Sequence, residues 1–211
     1  MKKKLVPIIV LVFCFGLIVV SLSQVFAGKR IEKILFMGDS ITAGMGVTPE
    51  QAYPALIQEM LKEKGRVDVT VINASISGST TASGWSRLNW YLKAKPKILV
   101  LALGANDGLR GLSTREMAKN LDRAIVLAKE NRIQVILAGM EIPPNYGPDY
   151  SADFRQVFLD LAARHNIVLI PFLLKDVAGR AGLNQADGIH PNARGQRIIA
   201  DTVIPYILES L

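Results

Sequence analysis

Ile98-Leu99-Val100-Leu101-Ala102-Leu103 is an unbroken apolar run that lies between Pro96 and Gly104. A short apolar run between turn residues is typical of a strand buried on both faces, as in the centre of a parallel sheet. Strand-like segments also occur at residues 31–37, 67–72, 135–138 and 168–170. Segments with apolar residues at helical spacing separate these strands, so strands and helices alternate along the chain.

Five strands that alternate with five helices predict an α/β fold of three layers, α/β/α, with a five-stranded parallel sheet. Ligands of such sheets bind beyond the carboxyl ends of the strands. Polar loops follow three of the strands, and a fourth polar stretch precedes the last helix: residues 38–40, 73–81, 104–107 and 187–190. We expect all four to gather at one edge of the sheet.

Two helix boundaries carry specific signals. In Thr48-Pro49-Glu50-Gln51 an N-cap threonine is followed by a first-turn proline and by glutamine at the capping-box position, which predicts that a helix begins there. The last helix is expected to begin at about Ala193, and Pro205 is expected to kink it or end it early.

Residues 1–27 have the features of a secretory signal peptide. The basic residues Lys2–Lys4 precede an apolar run from Leu5 to Val20, and small or aliphatic residues precede a cut after Ala27. The alternative is an uncleaved membrane anchor, although the apolar run is shorter than the roughly 20 residues that span a bilayer. Both interpretations place the single remaining domain, residues 28–211, outside the cytoplasm, either periplasmic or secreted.

Composition excludes several classes of function. The only cysteine, Cys14, lies inside the apolar leader, so the mature chain has no disulfide, thiol nucleophile or thiolate metal site. The net charge of +7 includes three leader lysines, and the rest of the chain has 22 basic and 18 acidic residues. That balance favours solubility over nucleic-acid binding. We expect a monomer without a cofactor. We also expect no metal site, since neither Asp39 nor Asp107 has a second carboxylate or histidine nearby in sequence.

Ser40 follows the first predicted strand, and a serine hydroxyl needs a base within hydrogen-bonding reach to act as a nucleophile. His165 lies near the end of an amphipathic helix, where a cation is stabilising, and we assign it that capping role. His190 follows Asp187 by three residues, so both can lie on one side of a helix-like turn. Asp187 would then orient the imidazole while its other nitrogen faces Ser40. The alternative is that Asp187 caps a turn and His190 is an incidental surface residue.

The four polar stretches resemble the sequence blocks of the GDSL/SGNH hydrolases. They read Gly-Asp-Ser-Ile-Thr-Ala-Gly at 38–44, Asn-Ala-Ser-Ile-Ser-Gly-Ser-Thr at 73–80, Gly-Ala-Asn-Asp at 104–107 and Asp-Gly-Ile-His-Pro at 187–191. The blocks occur in the family's order across essentially the whole mature chain, with Ile41 where the motif's name has leucine. Residues 106–111 and 144–147 are similar to the multifunctional periplasmic acyl-thioesterase, lysophospholipase and arylesterase group.

The resemblance implies a flavodoxin-like SGNH hydrolase fold and hydrolysis of acyl esters or thioesters, among them aryl esters, lysophospholipids and acyl-CoA-like substrates. It implies Ser40 as the nucleophile, His190 as the base and Asp187 as the acid that orients the base. It also implies an oxyanion hole formed by the backbone N–H groups of Ser40 and Gly78 and the side-chain amide of Asn106. Such neutral donors stabilise the negative oxygen that nucleophilic attack creates.

Several apolar residues are candidates for a groove that holds the acyl chain. We select Leu109, Leu112, Ile142 and Tyr146, and we also considered Trp85, Trp90 and Pro143. In the family that the chain resembles, the loop after Asn106 contacts the acyl chain, which makes Leu109 and Leu112 the better candidates. Most of these residues are equally plausible as core or loop packing.

Two other functions stay open at this stage. A carbohydrate O-acetylesterase of the same fold would need a short pocket with a more polar lining. A noncatalytic flavodoxin-like module would bind phosphate or a small ligand through loop N–H groups, although the chain has no glycine-rich phosphate loop of the dinucleotide or P-loop type. Sensitivity of the rate to acyl length tests the first alternative, and chemical labelling of Ser40 tests the second.

Overall fold

Five parallel strands form one sheet in the order β2-β1-β3-β4-β5. The computed structural model describes residues 31–211. The strands are β1 (Glu32–Gly38), β2 (Val69–Asn73), β3 (Ile98–Ala102), β4 (Gln134–Ala138) and β5 (Val168–Ile170). Each begins within two residues of its predicted start.

Seven α-helices accompany the strands in the described part of the chain. They are α1 (Ser40–Ala43), α2 (Tyr53–Glu63), α3 (Gly84–Tyr91), α4 (Ala105–Leu109), α5 (Thr114–Glu130), α6 (Pro148–His165) and α7 (Ala193–Ser210). Helix α2 packs against α7, and α5 packs against both α3 and α6. The predicted α/β fold with a five-stranded parallel sheet is confirmed. Helices α1 and α4 were not predicted, because helices of four and five residues are too short to show a hydrophobic period.

Strand β3 lies in the middle of the sheet, between β1 and β4. Its first four residues are 0% exposed to solvent and Ala102 is 4% exposed. The continuous apolar run therefore reflects burial on both faces, as its sequence predicted.

The strand order changes direction at β1. The chain passes from β1 to β2 on one side and then crosses to β3 on the other side. The carboxyl ends of β1 and β3 are therefore adjacent at the point where a crevice opens in sheets of this type. Helix α1 begins directly after β1 and α4 shortly after β3, so both short helices start at this crevice.

The predicted start of helix α2 is wrong by four residues, because the expected N-cap is Thr48 and the N-cap of α2 is Ala52. The capping box of Thr48 and Gln51 is present, but it begins a single 3₁₀ turn, Pro49–Gln51. Ala52 is extended (φ −65°, ψ 138°), and α2 begins only at Tyr53. The break is stabilised by long-range contacts, because the Tyr53 N–H donates to Oε1 of Gln196 at 2.9 Å.

Pro205 does not end the last helix, because α7 continues through it to Ser210. Proline removes the hydrogen bond to the carbonyl four residues earlier. That carbonyl belongs to Asp201, an exposed residue, so water can replace the missing donor. Buried apolar residues on both sides of the proline, Val203 and Ile207, keep the helix packed on the protein.

Asp39 begins helix α1 and is almost fully buried. Its Oδ1 accepts a hydrogen bond from the Ile41 N–H at 3.0 Å, and the residue is 2% exposed. Burial disfavours the charged carboxylate and raises the pKa of Asp39 to about 6, although the Ile41 N–H and the nearby His190 and Arg87 oppose this shift.

A carboxyl group whose pKa is raised from 3.8 to about 6 on folding stabilises the folded state at low pH, and that contribution is lost as the pH rises through the folded pKa. We therefore expect the unfolding free energy of the wild type to fall relative to that of Asp39→Asn by roughly 3 kcal/mol between pH 4 and 7. Asparagine keeps the N-cap acceptor. Urea unfolding at a series of pH values measures the difference.

The control is Asp153→Asn, which removes an aspartate from the exposed surface of α6. Its unfolding free energy should change with pH in parallel with that of the wild type. A wild-type curve that also parallels the Asp39→Asn curve would contradict the raised pKa.

Candidate active site

Ser40 is the first residue of α1 and lies immediately beyond the end of β1. It is 8% exposed, so the residue is almost fully buried. The turn that precedes it is tight. A Cβ atom on Gly38 would lie 2.2 Å from Thr42 Oγ1, so only glycine fits the end of the strand.

The structure brings the predicted base and nucleophile together across 150 positions of sequence. His190 Nε2 lies 2.9 Å from Ser40 Oγ, and His190 Nδ1 lies 2.7 Å from Asp187 Oδ2. When Nδ1–H donates to the carboxylate, Nε2 is left as an acceptor for the serine hydroxyl. The three side chains thus form a continuous hydrogen-bonded relay.

Asp187 is held by the backbone as well as by the imidazole. Its Oδ1 accepts from the N–H of Ile189 at 2.9 Å and from the N–H of His190 at 3.0 Å. The His190 N–H, the imidazole and the Ile189 N–H, in that order of strength, lower the pKa of Asp187 to about 2. The carboxylate is therefore ionised throughout the neutral range, as an acid that orients a histidine must be.

Gln196 connects the histidine segment to the serine helix, and sequence reasoning missed it. Its side chain is completely buried on α7; Nε2 donates to the Ile41 carbonyl at 3.0 Å, while Oε1 accepts from the Tyr53 N–H. The signal was a glutamine on the apolar face of α7, in helical register with Ile199 and Val203. A buried amide at such a position must find polar partners.

The three predicted oxyanion donors lie on separate segments. Gly78 has φ +78°, a left-handed conformation that favours glycine. Asn106 Nδ2 donates one hydrogen to the Ser79 carbonyl at 3.0 Å, which leaves its second amide hydrogen for another acceptor. Within residues 31–211, no protein acceptor binds the backbone N–H of Ser40 or Gly78.

Asp107 connects the same loops. It is 3% exposed; Oδ2 accepts from the Thr81 N–H at 2.9 Å and Oδ1 from the Thr81 hydroxyl at 2.6 Å. These bonds join α4, which carries Asn106, to the end of the loop that carries Gly78.

An apolar cavity of about 500 Å³ lies beside these residues. Its lining includes Ile41, Leu109, Ile142, Pro143, Leu174 and Ile189. Ile41 is the residue after the serine, and Ile189 precedes the histidine. Of the residues selected for the acyl groove, Leu109 and Ile142 line this cavity, and Pro143 does so as well.

The other groove candidates lie outside the lining of this cavity. The Tyr146 hydroxyl donates to the Leu109 carbonyl at 2.8 Å, so Tyr146 binds the backbone of the segment that carries Leu109. Leu112 is 42% exposed at the surface. Both tryptophans are on α3 beneath surface cations: Arg123 over Trp85 and Lys93 over Trp90. The sequence could not distinguish these residues from those that line the cavity, because the direction of each side chain relative to the cavity depends on tertiary packing.

His165, the second histidine, is remote from the serine. It ends α6, where a capping cation was expected, and its Nε2 lies 2.7 Å from Asp122 Oδ1. Among residues 31–211, no three His, Cys, Asp or Glu side chains converge to hold a metal ion. No helix within that same range has the length and apolar character needed to cross a membrane.

Known proteins share both the sequence and this fold. Esterase TesA of Pseudomonas aeruginosa is 41% identical over 83% of this chain and 88% of its own length. Thioesterase 1/protease 1/lysophospholipase L1 of Escherichia coli K12 is 34% identical over 83% of each chain. A crystal structure of TesA superposes with a TM-score of 0.82 at 40% identity, covering 85% of this chain and all of that one.

Residues 36–198 match the model of the GDSL-like lipase/acylhydrolase family, a range that contains the serine, the histidine, the aspartate and both candidate oxyanion loops. With this match and the relatives above, the chain belongs to the GDSL-like lipase/acylhydrolase family.

Proposed function

We propose that the protein is a serine esterase and thioesterase that hydrolyses acyl esters and thioesters through an acyl-enzyme. Ser40 is the nucleophile, His190 the general base and Asp187 the acid that orients it. The observation that carries the proposal is the relay of hydrogen bonds, 2.9 Å from Ser40 Oγ to the imidazole and 2.7 Å from the imidazole to Asp187.

The reaction proceeds in two halves. Ser40 Oγ attacks the carbonyl carbon while its proton moves to His190 Nε2, and the carbonyl electron pair moves onto oxygen. The tetrahedral intermediate collapses, His190 gives the proton to the leaving alcohol or thiol, and the acyl group stays on Ser40. Water then attacks the acyl-enzyme with His190 again as base, which releases the carboxylic acid and restores the serine.

The negative oxygen of each intermediate is stabilised by the N–H groups of Ser40 and Gly78 and the free amide hydrogen of Asn106. These donors are neutral and already ordered, so they do not need to reorganise as charge develops. Asp187 carries the compensating negative charge for the imidazolium.

The cavity supports an acyl chain as the substrate group bound there. Its volume of about 500 Å³ lies within the usual range for small-molecule sites, and aliphatic side chains supply much of its lining. An O-acetylesterase would need a short, more polar pocket, so the mainly apolar lining of this cavity supports a longer acyl chain instead. The names of these relatives, esterase and thioesterase/lysophospholipase, support ester, thioester and lysophospholipid substrates.

The first prediction concerns the proposed triad. A fluorophosphonate probe should label the wild type at Ser40 and leave Ser40→Ala unlabelled. His190→Ala should fold normally and lose roughly 10⁴-fold or more in kcat, because the hydroxyl loses its base. Asp187→Asn should keep some residual activity. Rates on a panel of p-nitrophenyl esters, lysophospholipid and acyl-CoA measure these losses.

His165→Ala is the matched control, since it removes the other histidine, which lies at the end of α6. Its kcat should stay within about twofold of the wild type. Absence of label on folded wild-type protein would overturn the hydrolase assignment in favour of a noncatalytic binding module.

A second prediction concerns the acyl chain. Ala178 lies at the exposed edge of the cavity, so Ala178→Phe should fill part of it without disturbing the core. We expect kcat/KM for C8 to C12 esters to fall roughly tenfold while that for C2 esters changes little, because only the longer chains need the filled space. The exposed Ala152 on α6 provides the control Ala152→Phe. Equal losses at all chain lengths, or a wild-type preference for acetyl, would contradict an acyl role for the cavity.

We further propose that residues 1–27, which lie outside the described part of the chain, direct export of the domain that begins at Gly28. The basic and apolar pattern of these residues and the small residues before the cut support this proposal. Mass spectrometry of the exported protein should find Gly28 as its first residue. A full-length chain recovered with the membrane would indicate an uncleaved anchor instead.

A further inference from the structure

Arg87 on α3 lies behind the serine turn and binds several oxygens at once. Both Nη1 and Nη2 lie 3.3 Å from the Gly38 carbonyl oxygen. Nη2 also donates to the Ala74 carbonyl, and Nη1 donates to Ser79 Oγ at 3.0 Å and to Ser83 Oγ at 3.4 Å. The guanidinium therefore joins the end of β1 to both ends of the loop 74–79.

All of these acceptors are neutral carbonyl or hydroxyl oxygens. The side chain is half-buried, and its Nε is buried without a partner among residues 31–211. Burying a guanidinium costs free energy that a carboxylate partner usually offsets. Here every hydrogen bond goes to a neutral oxygen, and Asp39 attracts the guanidinium electrostatically without a salt bridge to it, so stability alone is a weak explanation for an arginine at this place.

The acceptors belong to the segments that carry the proposed oxyanion donors. Gly38 is two residues before Ser40, and Ser79 directly follows Gly78. The third donor, Asn106, is tied to the same loop by its hydrogen bond to the Ser79 carbonyl. The Arg87 side chain thus bridges segments whose donors must meet at a single oxygen atom, and it adds to the direct bonds from the Ile76 N–H to the Gly38 carbonyl at 3.2 Å and from the Gly38 N–H to Ser75 Oγ at 3.0 Å.

We propose that Arg87 is a positioning residue for the oxyanion hole, which holds the 38–40 turn against the 74–79 loop so that their donors converge. The inference rests on the proposed function. Donors must be held to about 0.5 Å to stabilise a developing charge, and loss of one donor costs about 10²–10³ in kcat. Misplacement of the donors should therefore lower kcat and leave substrate binding nearly unchanged.

The test uses Arg87→Lys, which keeps the positive charge but lacks the planar fork that reaches two carbonyls. We expect kcat on a p-nitrophenyl ester to fall roughly 10- to 100-fold, with KM within about twofold. The affinity for a trifluoromethyl ketone, which forms a tetrahedral oxyanion on Ser40, should fall by a similar factor. Rates are expressed per active site by titration, so a loss of folded protein does not count as a loss of kcat.

A double-mutant cycle with Asn106→Ala separates positioning from general stability. If Arg87 acts through the donors, Arg87→Lys should cost clearly less in the Asn106→Ala background than in the wild type. Ser79→Ala, which removes one arginine contact and leaves the guanidinium in place, should show a smaller loss of kcat with the same unchanged KM. This variant keeps the proposal testable if Arg87→Lys does not fold.

Arg123→Lys is the control, because Arg123 lies over Trp85 on the surface and contacts none of these loops. If the wild type is active and Arg87→Lys has the same kcat per active site, the positioning role of Arg87 is wrong. Fully additive losses in the double-mutant cycle would also contradict that role. Either result leaves the proposed function intact. A wild type without turnover or labelling of Ser40 overturns the proposed function itself.

Discussion

The reversal of strand order at β1 is the constraint on which the site depends. Because β2 and β3 lie on opposite sides of β1, the carboxyl ends of β1 and β3 meet at one crevice. The chain leaves each strand through a short helix there, α1 with Ser40 and α4 with Asn106. Parallel pairing thus brings Ser40, the proposed nucleophile, and Asn106, a proposed amide donor, to one place although they are far apart in sequence.

His190, the proposed base, is held at this crevice by contacts outside the sheet. Helix α7, which begins three residues after His190, is bound to the serine helix by Gln196, and the Asn184 and Pro191 backbones pair on either side of the histidine turn. Bringing residues 40 and 190 together costs chain entropy, and the burial of apolar surface in the fold offsets that cost. The imidazole is therefore already at hydrogen-bonding distance from the hydroxyl, which is the preorganisation that catalysis needs.

The charges around the serine are arranged by burial and by hydrogen bonding. Backbone N–H groups and the imidazole keep Asp187 ionised, whereas burial favours the protonated form of Asp39 one residue before the serine. Arg87 brings a positive charge close to the same turn, among neutral oxygens. The proposed oxyanion donors are themselves neutral N–H groups, which suits an anion that forms among them.

The sequence by itself determined the five strands, the parallel sheet and the four polar loops, because periodicity and loop chemistry are local properties. It also predicted the Ser40, Asp187 and His190 set, which the fold then joined by hydrogen bonds. Only tertiary structure decided that α2 begins after Ala52, that α7 passes Pro205, and that Leu109 lines the cavity while Leu112 does not. The partners of Gln196 and Arg87 likewise emerged only from the fold, since they come from distant segments and no local pattern encodes them.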